Sequence, residues 1–144
     1  DILTRLRLKD ISVSLDDFGS GFSSLVEIYR LPLSELKFDQ SLASELDQSE
    51  DARTVMRALI ALAHMLELPV CVEGVETPTT LAFLQSVNCD LVQGYFIARP
   101  LPAGEFIEFV SNWSGVAARG GNEKGSAAQS TLVQLHQGAA TLAG

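Results

Sequence analysis

Asp51-Ala-Arg-Thr-Val-Met-Arg-Ala-Leu-Ile-Ala-Leu-Ala-His-Met-Leu-Glu-Leu-Pro-Val-Cys-Val-Glu73 joins two periodicities in one stretch. From Asp51 to Leu68 apolar residues recur at Val55, Leu59, Leu62 and Leu66, widened by Met56, Ile60 and Ala63, which predicts an amphipathic helix stopped by Pro69. From Pro69 to Val72 the run is short and β-branched and closes on Glu73, which predicts a strand. The same rhythm recurs on both sides. Ile11 to Leu15, Glu35 to Phe38 and Leu91 to Phe96 are further strand-like runs, each followed by a helical stretch. One helix opens with Thr77 as N-cap and Pro78 in its first turn and runs to about Asn88. Another follows Pro102, with Phe106, Ile107, Val110 and Trp113 along one side. Strands separated by helices pair in parallel through crossovers, so the class is α/β with four strand–helix units.

Alternation along each run separates two sheet faces. Ile11, Val13 and Leu15, then Leu36 and Phe38, Val70 and Val72, and Val92 share the face suited to helices. Ser12, Ser14 and Asp16, then Lys37 and Asp39, Cys71 and Glu73, and Leu91 and Gln93 take the other. With the helices outside, Asp16, Lys37, Glu73 and Gln93 gather near the C-terminal strand ends, where barrel enzymes build active sites.

The residue types at those ends suggest a chemistry. Asp16 and Asp17 concentrate negative charge that a hard divalent ion would neutralise; alternatively, one caps the following turn and the other is solvated. An inward Lys37 can hold a phosphate oxygen or a water, and Asp39 is a candidate ion partner for it. Glu73, in a strand of Val and Cys, suits activation of water, the alternative being an internal ion pair with Lys37. Phe18-Gly-Ser-Gly-Phe-Ser-Ser24 reads either as a lid or as a tight strand-to-helix turn. His64 reads as a helix-surface or packing residue, His136 has no partner pattern, and Ser20, Ser23 and Ser24 lack a triad arrangement.

Composition excludes several classes. The 144 residues are 47% apolar and 19% charged, as in globular proteins. A formal charge of −8 with no basic run argues against binding polymeric nucleic acid. No apolar run reaches the length of a membrane span, so direct membrane insertion is not expected; the segment reads as cytoplasmic, within a parent that could be membrane-anchored. Cys71 and Cys89 lack a Cys-x-x-Cys spacing and read as reduced, buried thiols. Ile2, Leu3, Leu6 and Leu8 look like a helix already in progress at Asp1, and a longer parent is the expectation. Residues 114–144 are rich in Gly, Ala, Ser and Gln and read as a tail or linker, with a short docking helix near Thr131 to Gln137 left open.

Leu15-Asp-Asp-Phe-Gly-Ser-Gly-Phe-Ser-Ser-Leu25, Glu35-Leu-Lys-Phe-Asp39, Val72-Glu-Gly-Val-Glu-Thr77 and Val92-Gln-Gly-Tyr-Phe96 resemble, in this order, the EAL family of cyclic di-GMP phosphodiesterases over residues 1–113. Ser20, Phe22 and Phe38 stand where threonine, tyrosine and isoleucine are usual. The resemblance implies the C-terminal half of a modified TIM (β/α) barrel and two-metal hydrolysis of cyclic di-GMP to pGpG with magnesium or manganese. It also implies roles: Asp16 and Asp17 as metal ligands, Lys37 orienting the attacking water, and Glu73 as general base. Gln93 would support the second metal's shell, Asp39 would lie near the metals, and Glu76 would anchor the Asp-Phe-Gly loop. A homodimer is implied as well. The Glu-Ala-Leu motif and the upstream asparagine and glutamate of the family's metal site are not in this sequence, so the isolated chain is expected to be inactive. The competing readings are a catalytically silent cyclic di-GMP receptor or interaction module, and a half-barrel that closes against a second copy.

Overall fold

The computed structural model describes residues 2–19, 25–113, 132–136 and 139–142. In chain order the elements are α1 (Ile2–Arg7), β1 (Ser14–Phe18), α2 (Leu25–Arg30), β2 (Glu35–Phe38), α3 (Gln40–Ser44), α4 (Glu50–Met65), β3 (Val70–Val72), α5 (Pro78–Ser86), β4 (Leu91–Gln93), α6 (Ala103–Ser111), β5 (Leu132–His136) and β6 (Ala139–Leu142). The sheet keeps sequence order, with β1 to β4 parallel and β5 and β6 added antiparallel beyond β4. The α/β class and the four parallel strands agree with the sequence reading.

One sheet face carries the core. Leu36, Phe38, Val70, Val72 and Val92 are buried in one cluster with Met56, Ile60 and Ala63 of α4 and Leu81 and Leu84 of α5. The opposite face is mixed: Cys71 of β3 and Leu91 of β4 are buried on it, whereas β1 and β2 carry Ser14 and Glu35, joined by a hydrogen bond of 2.9 Å, ahead of Asp16 and Lys37.

Caps explain where the helices lie. Ser49 caps α4 by accepting from Ala52 N at 3.1 Å, and Glu50 and Asp51 sit in its first turn, where the helix dipole favours negative charge. Thr77 caps α5, accepting from Thr80 N, ahead of Pro78. Helix α4 ends at Met65 rather than at Leu68. Glu67 takes φ 59° while Leu68 N donates to Ala63 O and Glu67 N to His64 O, a Schellman turn that closes the helix before Pro69 can act. Asn88, at φ 56°, ends α5 in the same way, with Cys89 N donating to Leu84 O.

Other boundaries differ from expectation for local reasons. β1 runs over Ser14–Phe18 and not Ile11 to Leu15, because the turn that closes α1 uses Ile11 N, which donates to Leu6 O. β4 stops at Gln93, where the chain turns. On α4 the buried line is Met56, Ile60 and Ala63, and Val55 faces outward. On α6, Phe106 and Ile107 are exposed, whereas Phe109 lies tilted against Trp113 with ring centroids 5.1 Å apart and Trp113 packs against the core. The short docking helix considered near Thr131 to Gln137 is instead strand β5 over Leu132–His136. A seven-residue helix nucleates poorly, whereas the edge of β4 offers unpaired backbone groups that a strand satisfies. Residues 20–24, which hold most of the Gly-x-Gly loop, and 114–131 lie outside the described residues.

Candidate active site

Asp16 and Asp17 reach the site through an irregularity in β1. Leu15 pairs with Leu36 and Phe18 with Phe38, so three steps along β1 match two along β2. Two aspartates therefore stand opposite Lys37 alone, as in a β-bulge, and Asp17 absorbs the extra residue at φ 54°. The bulge also resets the alternation. Leu15 and Phe18 both pack with the core, Phe18 against the Phe38 ring at 5.3 Å, while the two intervening carboxylates are left to the other side.

Across the sheet, the strand ends continue the parallel ladder. Asp39 N donates to Phe18 O, Glu73 N to Phe38 O and Val75 N to Gln93 O, which brings the ends of β1 to β4 level. Lys37 Nζ lies 3.3 Å from Asp16 Oδ1 and forms a closer ion pair with Glu73. Carboxylate oxygens of Asp16, Asp17 and Glu73 lie within 4.8 Å of one another. The side chains of Lys37 and Glu73 are each 20% exposed, and that of Asp16 is 64% exposed, so the group is open on the Asp16 side. Burial alone would lower the Lys37 ammonium, but the hydrogen bonds and charges of Glu73 and then Asp16 outweigh it and hold it above its ordinary value. Lys37 beside these carboxylates is a cation that can hold an anionic oxygen.

Asp16, Lys37 and Glu73 thus converge as the alternation predicts, and Asp17 joins them by way of the bulge. The ion pair between Glu73 and Lys37, the alternative weighed for Glu73, is present. Gln93 lines a cavity of about 140 Å³ with Glu73, Glu76 and Tyr95. Asp39 is not the ion partner of Lys37. It is the N-cap of α3, accepting from Ser41 N at 2.9 Å, and the hydrogen bonds from Ser41 hold its carboxyl below the ordinary range. A residue just past a strand end is free of the strand's alternation, and capping claims it. Glu76 is exposed beside the cavity, and residues 20–24 of the loop it was expected to anchor lie outside the described residues.

His64 pairs with Asp90, Nε2 to Oδ2 at 2.8 Å, and the same oxygen accepts from Val70 N, so this histidine ties α4 to the starts of β3 and β4. Cys71 and Cys89 are free, buried thiols; burial pushes both up, Cys89 to about 12, which leaves them inert. Three carboxylates against one ammonium leave the site negative, and an all-oxygen donor set suits a hard divalent cation such as magnesium or manganese. Asp16, Asp17 and Glu73 could hold one.

The EAL domain profile matches residues 1–100. The chain belongs to the EAL domain family. The cyclic di-GMP phosphodiesterase NbdA of Pseudomonas aeruginosa is 48% identical to this EAL chain over 109 residues, which are 76% of the chain and 14% of NbdA. Among solved EAL structures, the P. aeruginosa MucR phosphodiesterase in complex with c-di-GMP matches at 40% identity and TM-score 0.68, over 73% of this chain and 42% of that one. Klebsiella pneumoniae BlrP1, in a complex with manganese and cyclic di-GMP, matches at 31% identity and TM-score 0.60, over 65% of this chain and 24% of that one. The chain therefore spans less than half of each of these EAL relatives, and its four parallel strands belong to their TIM-barrel-like fold. Among the described residues no helix is long and apolar enough to cross a membrane.

Proposed function

We propose that this chain supplies the Asp16–Asp17–Lys37–Glu73 side of an EAL domain that hydrolyses cyclic di-GMP to the linear dinucleotide pGpG. The observation that carries the reading is the gathering of three carboxylates and one ammonium at level parallel strand ends. Asp16 and Asp17 would hold magnesium or manganese, with Gln93 supporting the shell. The ions would supply Lewis acidity to a phosphoryl oxygen and acidify water.

The chain's own groups do the rest. Glu73, ion-paired to Lys37 and mostly shielded from solvent, takes the proton from the attacking water as one phosphodiester bond opens. Lys37, held protonated by its two carboxylates, orients that water and offers its charge to the phosphate. The pairing of Lys37 with Glu73 fits this use, since a general base needs a fixed direction as well as a suitable basicity. A domain acting only as a receptor has no use for a base held in this way.

Cyclic di-GMP turnover to pGpG by the full-length protein, with its complete domain, tests the reading. Turnover should require magnesium or manganese and should be lost in Asp17→Asn, together with manganese affinity measured by calorimetry. Full turnover by Asp17→Asn would reject the assignment of the metal site. The 144-residue chain alone should be inactive, because its carboxylates form one side of a clamp that must stabilise both the attacking and the leaving oxygen. A homodimer belongs to the same proposal and is checked by light scattering.

A further inference from the structure

The segment from Glu73 to Thr77 carries the proposed base yet forms neither helix nor strand. Its position therefore depends on contacts from outside it. Beyond the ladder bonds from Glu73 N to Phe38 O and from Val75 N to Gln93 O, helix α3 and the turn after it supply them. Gly74, at φ 72°, passes so close to α3 that a Cβ there would lie 2.5 Å from Gln40 Cβ and 3.0 Å from Gln40 Cα. On the other side of the same helix, a Cβ at Gly19 would lie 2.4 Å from Leu42 Cδ1. Helix α3 is thus wedged between the segment that carries Asp16 and Asp17 and the segment that carries Glu73. A wedge sets a distance only if both sides are fastened to it.

Asp47 is the fastener on the Glu73 side. It lies in the turn between α3 and α4, and its carboxylate accepts from Thr77 Oγ1 at 2.7 Å and from Thr80 Oγ1 at 2.8 Å. Thr77 Oγ1 in turn accepts from Thr80 N at 3.0 Å as the cap of α5. One carboxylate therefore closes a ring of hydrogen bonds around the start of α5, four residues after Glu73. Thr80 is only 4% exposed, so its hydroxyl is a buried donor that needs this acceptor. Asp47 itself is exposed and touches none of the proposed reacting groups.

We propose that Asp47 is a positioning residue, pinning the Glu73–Thr77 segment against α3 so that Glu73 stays in register with Asp16 and Asp17; this rests on the reading of Glu73 as general base. The charge of Asp47 is used for aim and not for chemistry. A base displaced by even an ångström loses up to about a hundredfold in rate, so the lever is large although the contact is remote.

The test compares Asp47→Ala and Asp47→Asn in the full-length protein, reading hydrogen–deuterium exchange and steady-state kinetics together. In Asp47→Ala, amides from Glu73 to Thr77 should exchange faster while those of β3 hold. The kcat should fall roughly 10- to 100-fold with KM changed less than about twofold, at a temperature well below both melting points. Asp47→Asn keeps one of the two acceptor oxygens and should recover part of the loss. Unchanged exchange over Glu73 to Thr77 in Asp47→Ala would overturn the proposal, and so would faster exchange with kcat intact. If the wild-type protein makes no pGpG, the phosphodiesterase reading fails, and exchange alone then decides whether Asp47 holds the segment.

Discussion

Replacing Glu73 by Gln separates chemistry from architecture, because the structure limits how much stability the change can remove. The Glu73 and Lys37 side chains are each 20% exposed. Stranding one member of a fully buried ion pair costs about 3 to 5 kcal/mol, whereas an exposed pair is worth about 0 to 1. Lys37 also keeps Asp16 at 3.3 Å, and a glutamine oxygen can still accept from the ammonium, so the cost should be about 1 to 3 kcal/mol. Against a typical domain stability of about 5 to 15 kcal/mol, that leaves Glu73→Gln overwhelmingly folded. Loss of a general base removes about 10²- to 10⁴-fold in turnover. Unfolding cannot account for a fall of that size, and so the two roles separate cleanly. Turnover of cyclic di-GMP is followed as pGpG formation, stability by thermal melting, and substrate binding by calorimetry on the inactive variant. The expected result is a folded protein that binds cyclic di-GMP and barely hydrolyses it. A variant that melts like the wild type and hydrolyses within a few-fold of it would refute the assignment of Glu73 as base. Global unfolding would instead make the ion pair the main duty of this residue.

Gly94→Ala should be severely destabilising, at about 3 kcal/mol or more, since its Cβ would fall 2.1 Å from Val75 O and 2.3 Å from Val75 N, backbone atoms held by the ladder. Gly104→Ala is the matched control: a Cβ there meets nothing within 4 Å, and stability should be unchanged or raised by about 0.4 to 1 kcal/mol. Equal melting of the two variants would refute the close crossing of the β3 and β4 loops. The Lys37 pairs should be felt in the alkaline limb of stability. Because the folded-state value of Lys37 lies above its ordinary 10.5, its contribution is fully present below that pH and is lost as pH rises through the folded value. The stability gap between wild type and Lys37→Met should therefore be flat from neutrality to about pH 10 and shrink above it. A gap that widened with alkalinity would be inconsistent with the pairing seen here.

What was legible in the sequence depended on whether a residue obeyed a period. Leu36, Phe38, Val70, Val72 and Val92 alternate and are buried, and by the same parity Lys37 and Glu73 meet on the other side. Helix ends were less legible, because apolar spacing continues through Leu66 and Leu68 after the Schellman turn has already closed α4. Asp39 followed the parity of Lys37 on paper, but the strand ends at Phe38 and capping of α3 takes the side chain instead. Asp47 was invisible, since only the packing of α3 against the start of α5 brings it to Thr77 and Thr80, 30 and 33 residues away. The bulge at Asp16 and Asp17 is the instructive case between these extremes. Strict alternation from Leu15 would send Asp17 to the core and Phe18 to the site. Two apolar residues three apart with two carboxylates between them cannot form a regular strand with one buried face. Burying either aspartate unpaired would cost far more than one left-handed residue. The chain therefore inserts the extra residue, aspartate tolerates the positive φ, and both carboxylates reach the same side. The Leu15 to Phe18 spacing is thus itself the signal of a bulge, and the local violation of the strand period is what pairs the two carboxylates.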